Sequence, residues 1–157
     1  MKYGLLSVIF LFCCVSVFAG PLDYSVKNRL DERGVKYSTT KDNNFRVIRK
    51  TENGRDQLVL IFSTPEKYKG MQIREISSVG FVGNLTPSIA REMLKRTGSL
   101  KLGGWSMFVG SNGKDYASFS IKFVDSGISA EQLEVFVDFV ASVADKLEKD
   151  FLQSDKL

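Results

Sequence analysis

The chain has 157 residues, with 22 lysines and arginines against 18 acids, a net charge of +4, two cysteines and no histidine. Without an imidazole, Ser–His–Asp and Cys–His catalysis are excluded, and zinc loses its usual nitrogen ligand. A surplus of four positive charges is within the range of ordinary solvated surfaces and points to no particular charged partner.

At the N-terminus, Lys2 precedes a nearly unbroken apolar run from Gly4 to Phe18. The run is about fifteen residues, short of the roughly twenty that a bilayer-spanning helix needs. Val17-Phe18-Ala19 closes it in a pattern that a signal peptidase accepts. The expectation is a cleaved secretory signal over residues 1–19, a single domain over 20–157, and a periplasmic or secreted location. Cys13 and Cys14 would leave with the signal. Bulky Phe12 stands where a lipidated cysteine needs a small neighbour, so no lipoprotein is expected. The mature domain would have neither a disulfide nor a thiol nucleophile.

Leu22, Val26 and Leu30 share a helical stripe, and Gly34 can close that helix in a left-handed turn, which predicts a helix over 22–33. Residues 45–50 alternate as a strand, and Glu52-Asn53-Gly54-Arg55 is a hairpin signal. Leu58–Phe62 is apolar on both faces and reads as a central strand. Pro65–Gly70 reads as a turn, and Met71–Val82 as a longer strand.

Thr86-Pro87 opens a second helix, with a threonine cap and a proline whose φ is preset for the first turn. Ile89, Ala90, Met93 and Leu94 are its predicted buried face, and Gly98 its end. A strand from Trp105 to Val109, a turn at Ser111–Lys114 and a strand to Phe123 follow. In the second strand Ala117, Phe119, Ile121 and Phe123 face one way, and Tyr116, Ser118, Ser120 and Lys122 the other, as in a sheet covered on one side. Ser129 and Gln132 form a capping box for a last helix. Its predicted buried face is Leu133, Phe136, Val140, Val143, Ala144, Leu147 and Phe151. The fold class is α+β, an antiparallel sheet flanked by helices in the order α-β-β-β-β-α-β-β-α.

A helix followed by Gly104-Trp105, a turn at Asn112-Gly113 and a final helix ending Ala144-Asp145-Lys146-Leu147-Glu148 resembles the YbjN family. These are small bacterial domains with the fold of type III secretion chaperones. The resemblance runs from about Leu22 to Leu152. It implies a secretion-chaperone-like α+β fold, frequent dimers, no established enzymatic site, and a chaperone-like or regulatory binding role.

Candidate sites are few. On the last helix Val135 and Phe139 point away from the predicted buried stripe, beside Ser142 and Lys146, and an apolar pair off the main face marks a candidate partner contact. Replacing both Val135 and Phe139 with aspartate is expected to break a dimer without unfolding the chain. Trp105 is expected to close a gap between helix and sheet; with Phe108 it is also the candidate wall of an apolar ligand pocket against the helices. Asp145 and Glu148 read as helix solvation rather than a catalytic pair. The expected function is an exported, non-enzymatic binding or chaperone-like protein, working on a protein partner or as a homodimer. The alternative is a carrier of small apolar ligands. No metal, cofactor, nucleic acid or stable membrane insertion after signal cleavage is expected.

Overall fold

The computed structural model describes residues 20–52 and 54–152. The expected signal segment with both cysteines, and Asn53 of the hairpin turn, lie outside them. The described chain runs α1 (Tyr24–Glu32), β1 (Tyr37–Thr39), β2 (Phe45–Lys50), β3 (Asp56–Ile61), β4 (Glu66–Tyr68), β5 (Met71–Gly83), α2 (Pro87–Ser99), β6 (Gly104–Val109), β7 (Asp115–Val124) and α3 (Ala130–Leu152). Five strands thus precede α2 instead of the four predicted. Neither β1 nor β4 has a counterpart among the strands whose bounds were expected; β4 lies inside the segment expected to be a turn, where Lys69 and Gly70, both at positive φ, join Tyr68 to Met71 in a two-residue hairpin.

Two helix starts carry the chemistry expected of them, at Thr86-Pro87 and Ser129–Gln132, while the first helix begins at Tyr24 rather than at residue 22 because Asp23 caps it. Asp23 accepts hydrogen bonds from the amides of Ser25 and Val26, and Thr86 accepts one from Ile89 with Pro87 in the first turn. The Ser129 amide donates to Gln132 Oε1 at 2.9 Å, and the Gln132 amide donates to Ser129 Oγ at 3.1 Å, completing the capping box. Gly34 takes the left-handed φ of 64° expected after α1.

The strands form one antiparallel sheet in the order β1-β2-β3-β5-β7-β6, with β4 on the early part of β5. All three helices lie against one face. The long α3 crosses β5, β3, β7 and β2, α1 packs beside it, and α2 leans on β6. The main core joins Val26 and Leu30 of α1, Leu133, Val137 and Val140 of α3, and the inward residues Phe45, Val47, Val59, Ile61, Ile76, Phe119 and Ile121. A smaller cluster of Phe81, Met93, Ala117 and Leu147 lies under α2. Leu94, expected in that cluster, is 71% exposed, because α2 touches the rest of the fold along a narrow strip and buries only Met93 fully.

Gly80 sets how closely the layers approach. It sits in a register shift of β5 between Val79 and Phe81. A Cβ there would come within 2.7 Å of the Trp105 ring and 2.8 Å of the Ala144 carbonyl oxygen on α3. Gly80→Ala is therefore expected to cost about 1–3 kcal/mol by overpacking, read as a lower urea midpoint with a displaced tryptophan emission. An unchanged midpoint would show that α3 can retreat at no cost.

Two carboxylates correct the sequence reading. Asp145 and Glu148 are buried rather than solvated. The Arg55 guanidinium, from the β2–β3 hairpin, lies 3.0 Å from Asp145 and 2.7 Å from Glu148. The physical reason is that α3 lies flat on the sheet beside this hairpin, so its apolar stripe is flanked by positions that the hairpin covers. Helical periodicity cannot register a cation arriving from another element.

Candidate functional site

Strand alternation sends half of the sheet's side chains to the face that no helix covers. In one cross-strand row stand Arg46, Leu60, Ser77, Ser120 and Gly104; in the adjacent one, Ile48 opposes Leu58 on one side of β5, and Val79, Ser118 and Ser106 align on the other. Among the described residues twelve large hydrophobic side chains are exposed, and six of them, Ile48, Leu58, Tyr68, Met71, Phe108 and Val124, lie on this face. Ile48 is 66% exposed, Phe108 49% and Leu58 38%. Apolar side chains gathered on one surface in this way mark an interaction face rather than scattered exposure.

The relief of the face is uneven. Ile48, Leu58 and Leu60 form a ridge on β2 and β3. Ser106, Ser118 and Ser120 form a trough on β6 and β7. Its floor is tied together, with Ser77 Oγ and Ser118 Oγ 2.6 Å apart and Ser118 Oγ donating to the Ser78 carbonyl at 3.2 Å. Between ridge and trough runs a shallow groove of about 230 Å³, lined by Leu58, Leu60, Ser77, Val79 and Tyr116 among others. The Phe108 ring stacks on Tyr116 of that lining at 5.1 Å with an 11° interplanar angle.

Charges on the face are matched. Lys50 meets Asp56 at 3.0 Å, and Lys122 meets Glu66 at 3.0 Å and Glu75 at 3.3 Å. The hydrogen bond to Glu66 and the charge of Glu75 raise the Lys122 ammonium above its ordinary value, so it stays protonated. With Arg46, the face carries three cations and three anions in its strands, so its net charge is zero on a chain of net +4.

The residues singled out in the sequence are distributed differently. Trp105 points inward, half-buried, 5.4 Å from Phe119 and against both core clusters. Phe108, three residues on, projects from the opposite face of the sheet. The two rings therefore do not wall one pocket against the helices, because strand alternation puts them on opposite faces of the sheet. On α3, Val135 is 58% exposed as expected, but Phe139 is half-buried and meets Phe119 edge-on at 5.9 Å. Ser142 is half-buried and Lys146 exposed. The four therefore form no continuous apolar patch, and Phe139→Asp would drive a charge into the core instead of testing a surface. The ridge is not legible in the sequence: Leu58–Phe62, apolar on both faces, reads there only as a central strand, although the outward Ile48 of the partner strand carries a hint of an apolar second face.

These features define a class, a two-layer α+β module with helices on one side of an antiparallel sheet and an apolar, charge-matched sheet face on the other. No protein-family model matches the chain, and no curated protein matches it. Among solved structures, the chain is similar to the crystal structure of YbjN from E. coli, described there as a candidate transcription regulator, with a TM-score of 0.54 at 10% identity over 85% of this chain and 93% of that one. The fold is that of YbjN, as the resemblance in the sequence implied. Among the described residues no helix is long and apolar enough to cross a membrane.

Proposed function

We propose that this is an exported, non-enzymatic binding protein that acts through protein–protein contacts made by the helix-free sheet face. The observation that carries the reading is the concentration there of half of the exposed large hydrophobic side chains among the described residues. The zero net charge of that face favours a contact with protein surface over a strongly charged polymer. Its YbjN-like fold is compatible with a binding role, and a chaperone-like action on a partner chain is the finer form of the same reading. Export rests on the apolar run and the Val17-Phe18-Ala19 end of residues 1–19; every described helix and strand lies beyond Ala19, so its removal takes away none of them.

Native mass spectrometry of the protein from an envelope fraction tests both parts. The expected species begins at Gly20 and carries a second polypeptide, lost in Leu58→Asp at unchanged circular dichroism. Retention of residues 1–19 would overturn export. A polypeptide complex indifferent to Leu58→Asp, or a bare monomer, would overturn the assignment of the face.

A further inference from the structure

Resting on that reading, we propose that the occupant of the sheet face is a second copy of this chain, packed sheet against sheet. The two copies would be related by a two-fold axis running along β5. The argument is one of self-complementary relief. Ridge and trough lie on opposite sides of β5 and in the same cross-strand rows. Leu60, Ser77 and Ser120 share one row, since Leu60 pairs with Ser77 and Ser77 with Ser120. Ile48 pairs with Leu58, and Ser118 pairs with both Val79 and Ser106, in the neighbouring row.

A two-fold axis along β5 exchanges β3 with β7 and β2 with β6. It lays Leu60 of one copy over Ser120 of the other, Leu58 over Ser118, and Ile48 over Ser106. Three large side chains meet three small ones, twice over. That is how stacked sheets interdigitate about 10 Å apart, and how an isologous interface repeats one patch on both subunits. Crossing at the roughly 30° usual for twisted sheets leaves these central pairings in place and splays only the corners.

Charge agrees with the relief. The face has no net charge to oppose its own copy, and where the two-fold lays Glu75 of β5 over its counterpart, a Lys122 ammonium 3.3 Å from each carboxylate offsets the like charges. The same operation brings Lys50 of one copy beside the stacked Phe108 and Tyr116 rings of the other, a favourable place for an ammonium. A partner of different sequence would need no such symmetry between the two sides of β5; a second copy requires it. The exposed flank of α3 offers no equivalent, because among the described residues Val135 is the only large hydrophobic exposed there.

Both cysteines of the chain lie before residue 20, and all described elements of the fold lie after it, so residues 20–157 allow cysteine cross-linking without background. Sedimentation equilibrium should find a dimer, and Leu58→Asp should weaken it roughly thirtyfold or more, as expected for a central interface residue. In the variant Ile48→Cys with Ser106→Cys, mild oxidation should give a disulfide-linked dimer, while Ile48→Cys alone should not. A wild-type monomer overturns the second copy. If such a monomer still binds another polypeptide and Leu58→Asp abolishes that binding, the protein-binding reading survives; if it binds none, both fail. A dimer indifferent to Leu58→Asp but cross-linked through Val135→Cys overturns the proposal and moves the interface to α3. A Leu58-dependent dimer that fails to cross-link in the double-cysteine variant overturns the two-fold along β5.

Discussion

Arg74→Ala is expected to destabilise the fold by about 3–5 kcal/mol, the usual effect of removing one partner of a buried ion cluster, and to lower Tm by roughly 10–20 °C. Arg74 is fully buried on β5, and its guanidinium joins four segments. It donates to the carbonyls of Phe62 and Ser63 at 2.6 and 2.9 Å, to Asp23, the α1 cap, at 2.5 Å, and to Asp125 at the end of β7 at 2.5 Å. Arg29 of α1 reaches the other Asp125 oxygen at 3.1 Å. Alanine would strand two carbonyls and leave Asp125 facing a cavity. The same cluster sets an acid limit. Burial pushes the Asp125 carboxyl up, but the hydrogen bonds and charges of Arg74 and Arg29 outweigh it, and the group titrates below its ordinary 3.8. A depressed carboxyl contributes stability that is present above the unfolded value and lost as pH falls through the folded one. Stability should therefore decline as pH falls below about 4, and Asp125→Asn should be less stable at neutral pH and show a shallower decline. Urea midpoints from pH 3 to 7 for the two variants check both statements; an Arg74→Ala midpoint within error of the wild type would remove the cluster from the fold's stability.

The secondary structure was legible because it rests on local chemistry: the Thr86-Pro87 and Ser129–Gln132 starts, the glycines at positive φ, and the alternation of β7. Layering was not. Leu58–Ile61 is apolar on both sides in sequence, and a strand buried twice looks the same as a strand buried once with an interaction face behind it. Only the placement of all three helices on one side separates the two. Likewise Phe139 lies off the α3 stripe by angle, yet Phe119 of β7 rises to meet it. Helical periodicity reports a direction; it does not report what another element places there. The buried polar residues were hidden for the same reason. Arg74 sits in a polar-looking strand, and nothing local indicates that Asp23 and Asp125, some fifty residues away on either side, converge on it. Sequence therefore locates this fold's elements well and its binding face poorly, because the face is defined by what the helices leave uncovered.

The Arg55 cluster yields an effect whose sign depends on background. Asp145 and Glu148 are one turn apart on α3, both buried, and the Arg55 guanidinium faces both. Arg55→Met keeps the side chain's bulk but removes the charge, leaving two carboxylates in a site shaped around a cation. The expected cost is again about 3–5 kcal/mol. In the wild type, Glu148→Gln should also destabilise, by about 1–3 kcal/mol, because it weakens a charge-assisted hydrogen bond. In the Arg55→Met background the same substitution removes a charge that its main counter-ion no longer offsets, and it should restore part of the lost stability. A double-mutant cycle of urea midpoints reads this directly. Opposite signs for Glu148→Gln in the two backgrounds would establish that the β2–β3 hairpin is fastened to α3 by electrostatics. Additive effects of the same sign would mean that packing alone holds the hairpin to α3, and the wild-type guanidinium would then contribute no specific coupling. The outcome bears on binding as well. The hairpin carries Lys50 and Asp56 at the rim of the sheet face, and α3 fixes its position from behind. A hairpin released from α3 would tilt the Ile48–Leu58 ridge out of line with the trough, so loss of this cluster should weaken any contact made by the face in proportion to the freedom it gives β2 and β3.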